Sequence, residues 1–564
     1  MSNAHEVVTS IVDRIATQAC QDTRHVIRFL RDGDMAMWTL DELDRRSTRV
    51  ARRLSALGLA PRDRVGVMAG NRIEWVLVDL AVLKLGATTA GFEAGRFSPT
   101  QIVDIYGLRV LFTDDGSGAP AASGSPVLDL AQVLAWSADP SFDSGPFPLH
   151  LGYDPADILA IKFTSGSTGV PKGLEATVAS VDSSIAATQA MFAHGDGDQL
   201  FVFLRLALLQ QRYWVYSALA HGHDITIADL DRALDTAPRT APTVVMGVPG
   251  FYEQLRARLI DAHGPALDDV AARRDAIQRA LGGRVRYLWT GSAPCSRAVL
   301  DFFNDADVPL YEGYGLNETC IVAKNHPGAF RRGSVGRVLP DKTVRFDRDG
   351  TLIVGAKHPV NCRYTWCGEG VNEKTFLPTG EVKTWDLGHV DEDGFLFIHG
   401  RADDVLTLSS GRNVLVRLVE ERLREHADVH EVVLVGNGRP FLSAIVSPAR
   451  PAHQIDLAAH VATVNASLLP EQRVHALVIA DTPFSIDDGL LTSQFKPRRA
   501  AIHARWAAPL GPIYDAAGPR VPDADRLPLV LRAPLTEADA ATPSSPSHAA
   551  RHPNAALTAF QEIP

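Results

Sequence analysis

The chain has 564 residues, of which 46% are hydrophobic and 22% are charged. This composition is typical of globular proteins, and the length indicates more than one domain. The formal net charge of −10 excludes a long-range electrostatic attraction to nucleic acid or to an anionic bilayer, so neither is expected as a partner.

Cysteine usage and hydropathy indicate the compartment. The five cysteines form no C-x2-C pair, which argues against a disulfide framework and a zinc site and favours a reducing compartment. Acidic and basic residues run through the first thirty positions, so no signal peptide is predicted. The sequence contains no uncharged apolar run of about 18 residues, which a bilayer span requires. We therefore expect no transmembrane segment and a cytoplasmic location.

The N-terminal part alternates helix-like with strand-like segments. Residues 40–59 place apolar side chains at three- and four-residue spacing, as an amphipathic helix does, and a second helix is predicted at 74–86. Short apolar runs predict buried strands at 64–70, 158–164, 224–229, 243–249 and 285–292. This alternation favours parallel sheets covered by helices, and therefore an α/β fold.

The pattern of predicted elements changes from about residue 333 onward. From about residue 333 to 400, short β-like runs are separated by Gly, Asp and Pro, and we place a domain boundary between 400 and 401. Residues 401–505 are predicted to form a small α+β domain, with a helix at 416–426 and strands at 431–436 and 441–448. Residues 506–564 are rich in Pro, Ala, Asp and Ser and are predicted to lack a stable fold.

A loop of small residues follows the predicted strand 158–164 and carries the most specific chemical signal. Residues 161–173 are IKFTSGSTGVPKG. Glycines let the backbone turn so that its N–H groups point at an anion, hydroxyl groups add donors, and Lys172 adds a positive charge. The Walker pattern does not fit, because Pro171 precedes the lysine. The segment predicts a phosphate-binding loop, with a Ser/Gly linker as the alternative.

The decapeptide TSGSTGVPKG resembles the phosphate-binding signature of the adenylate-forming (AMP-binding) enzyme superfamily. Four later segments resemble further motifs of that superfamily, in the same order. They are GSAPCSRAVLDFF at 291–303, YEGYGLNET at 311–319, the stretch 383–414, and DDGLLTSQFKPRR at 487–499. The last of them, together with residues 203–212 and 244–255, is similar to the long-chain acyl-CoA synthetase branch. The resemblance extends from about residue 40 to 500.

The resemblance implies a fold and an activity. The implied fold is α/β, with a large multi-layer domain of sheets and helices at 1–400 and a small mobile α+β lid domain at 401–505. In the implied reaction, a carboxylate attacks the α-phosphorus of ATP to give acyl-AMP, and a nucleophile, usually a thiol, then displaces AMP. The implied cofactors are ATP, Mg²⁺, and coenzyme A or the phosphopantetheine of an acyl carrier protein.

The resemblance also implies roles for individual residues. Lys496 matches the catalytic lysine, Glu318 the acid that binds Mg²⁺, and Asp386 the acid that accepts both ribose hydroxyls. The phosphate loop is matched by Thr164, Ser165, Gly166, Ser167, Thr168, Gly169 and the catalytic Lys172. Other implied nucleotide contacts are Gly291, Ser292, Ala293, Glu312, Gly313, Tyr314 (against adenine), Gly315, Asn317 and Arg401. Asp403 matches the hinge between the domains, with a solvated loop charge as the alternative; a surface carboxylate and a basic patch are the alternatives for Glu318 and Lys496.

Four positions depart from the superfamily pattern. Asn317 stands where most members have Thr, and Trp385 replaces a glycine beside the expected ribose site. Arg205 and Leu208 stand where long-chain members commonly have Pro and His, so the usual fatty-acid preference is in doubt. Residues 203–216 are nevertheless mainly apolar and aromatic, which is consistent with an apolar acyl or aryl tail.

Three functions remain open from the sequence. The first is a ligase that converts an apolar, fatty or related carboxylic acid into its CoA thioester. The second is a stand-alone ligase that passes the acyl group to a carrier protein or an amine in a biosynthetic pathway. The third is a binding protein that kept the fold but lost turnover, which the departures at Trp385 and Asn317 motivate.

Overall fold

The structure of the chain is a computed structural model. The structure describes residues 10–93, 98–114, 121–164, 172–359, 363–402, 404–450, 452, 455–492, 495–517, 521–522 and 528–533. The predicted phosphate-loop residues Ser165, Gly166, Ser167, Thr168 and Gly169 and the predicted hinge Asp403 lie outside this range.

Strands are found along the whole described chain. They are β1 (Val26–Arg31), β2 (Asp34–Thr39), β3 (Arg64–Met68), β4 (Thr88–Phe92), β5 (Val110–Thr113), β6 (Val127–Asp129), β7 (Ile158–Thr164), β8 (Lys172–Thr177), β9 (Gln199–Val202), β10 (Asp224–Ile227), β11 (Val244–Met246), β12 (Tyr287–Thr290), β13 (Leu310–Leu316), β14 (Cys320–Lys324), β15 (Arg337–Val338), β16 (Lys342–Phe346), β17 (Thr351–Ala356), β18 (Tyr364–Thr365), β19 (Val382–Val390), β20 (Leu396–Arg401), β21 (Val405–Thr407), β22 (Asn413–Leu415), β23 (Val429–Val435), β24 (Leu442–Pro448), β25 (Val474–Ala480) and β26 (Leu529–Ala533).

Helices alternate with these strands. They are α1 (Ile11–Thr17), α2 (Leu40–Ala56), α3 (Ile73–Lys84), α4 (Pro99–Tyr106), α5 (Gln132–Ala138), α6 (Val178–Phe192), α7 (Leu209–His221), α8 (Ala233–Thr240), α9 (Pro249–His263), α10 (Val270–Ala280), α11 (Arg297–Asn304), α12 (Val371–Thr375), α13 (Val416–Leu423), α14 (Ala458–Ala466), α15 (Arg499–Arg505) and α16 (Ala507–Ala517). Among the described residues, no helix is both long and apolar enough to cross a membrane.

Two large sheets carry most of the N-terminal part. One has the strand order β15-β14-β13-β12-β11-β9-β10-β1-β2, and the other the order β18-β8-β7-β4-β3-β5-β6. Neighbouring strands from β1 through β10, β9, β11 and β12 to β13 are parallel, as are β7, β4, β3, β5 and β6 in the second sheet. This arrangement confirms the predicted α/β class.

The main hydrophobic core joins the two sheets. It contains Ile27 and Leu200 from the first sheet, Val65 and Ala160 from the second, and the apolar residues of α3. Every residue of α3 is buried, which fits a helix that is mainly apolar on all sides. Its charged residues are each paired, Glu74 with Arg72, Asp79 with Arg212 and Lys84 with Asp44. A protein interior tolerates buried charges when they are paired in this way.

The described chain divides into two compact units. The first contains the residues up to Val405 together with Leu415–Glu421 and Leu491–Lys496, and the second contains Leu406–Val414, Arg422–Leu490 and the residues from Pro497 onward. The first unit includes a third, antiparallel sheet with the order β16-β17-β19-β20. The second is built on a sheet with the order β23-β24-β25-β26. A large N-terminal and a smaller C-terminal part were both predicted, whereas the exact boundary at 400/401 stays a prediction.

The prediction that residues 506–564 lack a stable fold is wrong for two described stretches. Helix α16 buries Leu510, Ile513 and Tyr514. Strand β26 pairs in parallel with β25, with Leu529 opposite Ala476. The prediction rested on the average composition of the segment, which is rich in Pro, Ala and Ser. Short apolar runs within it are nevertheless long enough to pack as a helix or to pair as an edge strand.

A histidine between two carboxylates predicts a pH-dependent stability. His25 Nδ1 lies 2.6 Å from Asp22 Oδ2, and its Nε2 lies 2.6 Å from Asp196 Oδ1. Burial alone would lower the pKa of His25, but hydrogen bonds and charge from both aspartates raise it above the ordinary value. The stabilisation by protonated His25 is therefore complete below about pH 6.5, its unfolded pKa, and is lost as the pH rises through the higher folded pKa.

We expect His25→Gln to remove this dependence. In urea unfolding followed by tryptophan fluorescence, the wild type should be more stable than the variant at pH 6, and the difference should shrink as the pH rises to about 9. His263→Gln serves as the control, because this histidine lies exposed at the end of α9. A constant difference between wild type and His25→Gln across this pH range would contradict the prediction.

Candidate active site

A cavity of about 250 Å³ opens in the first unit where parallel strands of the nine-stranded sheet end. Leu204 lies just after β9, Met246 ends β11, Gly247 follows it, and Gly291 follows β12. The carboxyl ends of parallel strands are the edge at which α/β sheets bind ligands. The remaining lining residues are Gln210, Gln211, Trp214, Trp289, Ser292, Gly313, Tyr314, Gly315, Leu316, Asn317, Glu318, Cys320, Ile321 and Lys496.

Two glycines of the aromatic–glycine motif are required by close backbone packing. A Cβ atom at Gly315 would lie 1.9 Å from the carbonyl oxygen of Cys320, and one at Gly313 would lie 2.6 Å from Lys324 Cδ. At Gly291 a Cβ would lie 3.3 Å from the Gly313 carbonyl oxygen, so the two predicted adenine-side segments are neighbours. The motif therefore keeps the backbone itself, rather than side chains, along this wall of the cavity.

Three predicted nucleotide ligands come together where Tyr314 of β13 meets Asp386 and Arg401 of the third sheet. The Tyr314 hydroxyl donates a hydrogen bond to Asp386 Oδ2, and an Arg401 guanidinium nitrogen lies 3.8 Å from Asp386 Oδ1. Asp386 and Arg401 are opposite each other on β19 and β20. Burial and the adjacent carboxylate raise the pKa of Tyr314, so the phenol stays protonated as the donor. A buried carboxylate is thus oriented by a phenol and an arginine.

Lys496, the predicted catalytic lysine, belongs to the first unit and lines the cavity. Burial and the positive charge of Arg401 lower the pKa of Lys496, and the negative charge of Asp386 partly opposes them. Phe495 has a φ of +59° and packs on Gly250, where a Cβ would lie only 2.6 Å from Phe495 Cβ. Sequence reasoning missed Gly250 because its partner lies far along the chain. Its position one residue after the proline that starts α9 gave no signal of the contact.

The predicted phosphate end is organised around Tyr364. Its hydroxyl donates to Glu318 Oε1 at 2.5 Å, and Lys172 Nζ lies 5.2 Å from the centre of its ring. Burial and the carboxylate of Glu318 raise the pKa of Tyr364. Lys172 is the first residue of β8 and pairs with Thr164 across the hairpin that carries the predicted phosphate loop. Tyr364 was missed, since it lies in a β-like region of the sequence without any recognisable motif.

Two buried lysines support the loops around the cavity and were also missed. Lys162 donates to the carbonyl oxygen of Asn317, and burial lowers its pKa. Lys324 donates to the carbonyl oxygens of Tyr311 at 2.7 Å and Thr290 at 3.3 Å. A lysine inside an otherwise apolar strand was the sequence signal that could have identified both. They tie the motif segments to each other through backbone carbonyls rather than through side chains.

Several predicted residues do not line the cavity. Among the described residues these are Lys172, Arg205, Leu208, Ala293, Glu312, Asp386 and Arg401. Burial raises the pKa of Glu312 to about 7, and positive charge from Arg417 and Lys324 opposes that shift. The predicted acid-binding stretch 203–216 contributes instead Leu204, Gln210, Gln211 and Trp214.

Trp385, which departs from the superfamily pattern, has an unfavourable backbone conformation. Its φ is +65°, in the left-handed region that glycine occupies freely and other L-residues enter at a cost of roughly 1–2 kcal/mol. Its indole lies 4.6 Å from Lys383 Nζ, measured to the ring centre, a contact that partly compensates. The tryptophan therefore occupies a backbone position suited to the glycine that the superfamily pattern has there.

We expect Trp385→Gly to be more stable than Trp385→Ala by about 1 kcal/mol, because both lose the indole but only glycine relieves the backbone. Differential scanning fluorimetry followed by urea titration measures the difference. The same pair of substitutions at Trp136, inside helix α5, is the control. There alanine should be favoured over glycine by about 1 kcal/mol. Equal stability of the two Trp385 variants would contradict the strained conformation.

The sequence of this chain is similar to those of known proteins. Residues 12–355, more than half of the chain, match the AMP-binding enzyme family, and residues 403–474 match the AMP-binding enzyme C-terminal domain. A long-chain-fatty-acid–CoA ligase of Mycobacterium bovis is 28% identical over 547 residues, covering 82% of this chain and 90% of that protein. A mitochondrial acyl-coenzyme A synthetase of Rattus norvegicus is 25% identical over 508 residues, covering 82% and 85%.

Solved structures share the fold at lower identity. The o-succinylbenzoate CoA synthetase of Bacillus subtilis, solved with its acyl-adenylate intermediate, has a TM-score of 0.68 at 19% identity, covering 87% of this chain and 97% of that one. The A-PCP didomain of the carboxylic acid reductase from Segniliparus rugosus, solved with AMP, has a TM-score of 0.72 at 17% identity, covering 90% and 84%.

Proposed function

The chain belongs to the AMP-binding enzyme family, and from this membership we propose that it is an ATP-dependent, AMP-forming acid–CoA ligase. A carboxylate oxygen of the acid attacks the α-phosphorus of ATP, and the bond to pyrophosphate breaks to leave acyl-AMP. The thiol of coenzyme A then attacks the acyl carbon and AMP leaves. The CoA-ligase activity named for the Mycobacterium bovis and rat relatives supports this reaction.

The observation that carries the proposal is the grouping of Lys496 and Tyr314, which line the cavity, with Asp386, which accepts a hydrogen bond from Tyr314 and whose charge acts on Lys496. Asp386 supplies a buried carboxylate that can accept hydrogen bonds from both ribose hydroxyls, with Arg401 beside it. Tyr314 lies beside the glycine backbone of the adenine-side segments and offers a flat face to the base. These groups fix the nucleotide, which turns the attack on phosphorus into an effectively unimolecular step.

Lys496 is assigned to the negative charge that grows on the α-phosphate and acyl oxygens while acyl-AMP forms. An ammonium held in a partly buried cavity stabilises negative charge more strongly than it would in water, because fewer water dipoles screen it. The lysine needs no proton transfer for this role, only its charge and position. We assign the β- and γ-phosphates to Lys172 and to the loop Ser165–Gly169, which lies outside the described residues.

Glu318 fits the role of a magnesium ligand. Magnesium takes hard oxygen ligands and is usually held by one or two carboxylates, with phosphate oxygens and water completing its shell. In the described part of the chain, no three or more His, Cys, Asp or Glu residues cluster as a metal site. Glu318 lines the cavity and is oriented by the Tyr364 hydroxyl, so it can supply one such oxygen. When bound with ATP, the ion would offset charge on the phosphates.

A carrier-protein thiol is the second candidate for the acceptor. The likeness to an adenylation domain solved together with its carrier domain favours this alternative. Both acceptors present the same phosphopantetheine thiol, so the first half-reaction does not distinguish them.

Acid-dependent pyrophosphate release, measured with CoA, with a loaded carrier protein and with neither, tests the proposal. The acyl-CoA product should form with CoA, whereas acyl transfer only to the carrier would identify the alternative. Absence of acid-dependent AMP and pyrophosphate from every acid would leave a protein that binds without turnover.

A further inference from the structure

Tyr364 contacts two residues of opposite charge with different parts of its side chain. Its hydroxyl donates to Glu318 Oε1 at 2.5 Å, and Lys172 Nζ lies 5.2 Å from the centre of its ring. No ion pair within 4 Å joins these two charged side chains, both of which the structure describes. Neighbouring opposite charges attract each other, and a direct pair would occupy both of them. The phenol thus gives each charge a contact of its own in place of a contact with the other.

Tyr364 is held in place from several sides. Its backbone N–H donates to Asn372 Oδ1 at 2.6 Å, and Asn372 Nδ2 donates to its carbonyl oxygen at 3.1 Å. Its ring packs edge-on against Phe376, with the ring centres 5.1 Å apart. The residue is only 8% exposed, so little water reaches it to compete for its contacts. A side chain fixed by packing and by hydrogen bonds can hold the groups that it contacts in one geometry.

The segment around Tyr364 is also joined to the strand that carries Lys172. Strand β18 pairs with β8, with Thr365 opposite Gly173, and the Thr365 hydroxyl donates to the Gly173 carbonyl oxygen at 3.3 Å. A Cβ atom at Gly173 would lie 2.7 Å from Thr365 Oγ1, so the two strands approach more closely than a larger residue allows. Lys172 is the first residue of β8. The phenol and the lysine are therefore held on paired strands.

We propose that Tyr364 is a positioning residue, which keeps Lys172 and Glu318 from pairing with each other. The lysine can then meet the ATP phosphates and the carboxylate can meet Mg²⁺. This inference rests on the roles proposed above for these two residues and adds a third residue to them. A hydrogen bond to a ligating carboxylate fixes its orientation, and a cation beside an aromatic face is stabilised without being neutralised. The hydroxyl and the ring should therefore have separable effects.

Tyr364→Phe removes the hydroxyl and keeps the ring. Mn²⁺ serves as a paramagnetic probe in place of Mg²⁺, and its binding to the full chain with α,β-methylene-ATP is followed by electron paramagnetic resonance. The substitution should weaken Mn²⁺ binding by about 10–100-fold, because Glu318 loses the donor that orients it. The affinity for α,β-methylene-ATP alone, measured by calorimetry in EDTA, should stay within about twofold, because the ring remains beside Lys172.

Tyr153→Phe is the matched control for this substitution. The Tyr153 hydroxyl donates to the Leu83 carbonyl oxygen at 2.7 Å, and among the described residues Tyr153 is not part of the cavity lining. The control therefore loses one hydrogen bond of similar length away from the two charges. Both its Mn²⁺ affinity and its nucleotide affinity should equal those of the wild type.

Tyr364→Leu removes the ring as well and tests the separation of the charges. Lys172 can then pair with Glu318, which should weaken binding of metal-free α,β-methylene-ATP by about fivefold. Glu318→Gln removes the competing charge. Its gain in metal-free affinity should be about fivefold larger in the Tyr364→Leu background than in the wild type, as a double-mutant cycle measures. A general loss of packing would instead give equal gains in the two backgrounds.

The outcomes separate this inference from the ligase reaction. Unchanged Mn²⁺ affinity in Tyr364→Phe, equal gains from Glu318→Gln in the two backgrounds, or no Mn²⁺ binding by the wild type would overturn the inference. Thermal unfolding shows which variants fold, and the nearly isosteric Tyr364→Phe decides alone if Tyr364→Leu does not. Acid-dependent pyrophosphate release by the wild type is a separate measurement. Its absence beside the expected Mn²⁺ effects would overturn the ligase reaction and leave the role of Tyr364 standing.

Discussion

Replacing Lys496 by alanine should lower the rate of acyl-AMP formation by about 10²–10³-fold, the effect of removing one group that stabilises transition-state charge. The ammonium lies at the cavity, next to the charges of Arg401 and Asp386. Acid-dependent exchange of pyrophosphate into ATP measures this half-reaction alone. The KM for ATP should change less than kcat, because the lysine acts mainly on charge that develops during the reaction.

Two controls separate catalysis from folding in that experiment. Lys374→Ala removes an exposed lysine of α12 and should leave the exchange rate unchanged. Lys496→Ala should be at least as stable as the wild type in thermal unfolding, because burial disfavours the charged form that the variant no longer carries. A variant that loses activity only in proportion to its loss of folded protein would contradict the catalytic assignment.

The pH dependence offers an independent readout of the same lysine. Its pKa is lowered, so the charged form and the activity should be lost at a pH below the ordinary lysine value of about 10.5. Arg401→Gln removes a positive neighbour and should move this alkaline limb to higher pH. Asp386→Asn removes a negative neighbour and should move it to lower pH. Shifts in the same direction would contradict an electrostatic origin.

The α/β class and the order of the chemical motifs could be predicted because each depends on local sequence. Strands β3, β7 and β10 are short apolar runs, and α2 has helical apolar spacing, so periodicity alone identifies them. The motif segments around Gly291 and Tyr314 were likewise recognisable from contiguous residues. Their placement at the cavity follows from parallel pairing, which aligns the carboxyl ends of β9, β11 and β12.

The residues that could not be predicted from the sequence contact partners far away along the chain. Tyr364 orients Glu318, Gly250 gives room to Phe495, and Lys324 binds carbonyl oxygens at the ends of β12 and β13. None of these contacts leaves a local periodic signal, because the partners meet only in the folded chain. Strand β26 was missed for a different reason. Its five residues pair with β25, but the prediction rested on the average composition of the surrounding segment.

Asp386→Asn should raise the KM for ATP by about 10²-fold, because a neutral amide replaces a carboxylate that accepts charge-assisted hydrogen bonds worth roughly 1.5–3 kcal/mol each. Asp386 is buried and already oriented by Tyr314 and Arg401, so solvent cannot substitute for it. The KM from initial rates and the Kd from calorimetry should rise together. Asp347→Asn is the matched control, since this aspartate pairs with Lys383 beside the same sheet and should leave both values within about twofold.

The ribose contact itself is tested by pairing Asp386→Asn with 2′-deoxy-ATP. The wild type should discriminate against the deoxynucleotide, because removing the 2′-hydroxyl leaves a buried carboxylate with an unfilled acceptor position. In the variant this discrimination should shrink by about tenfold, since the group that senses the hydroxyl has been weakened, as in a double-mutant cycle. Equal discrimination by wild type and variant would place Asp386 away from the ribose. Its role would then be confined to holding Tyr314 and Arg401, with the loss of ATP affinity an indirect effect of their displacement.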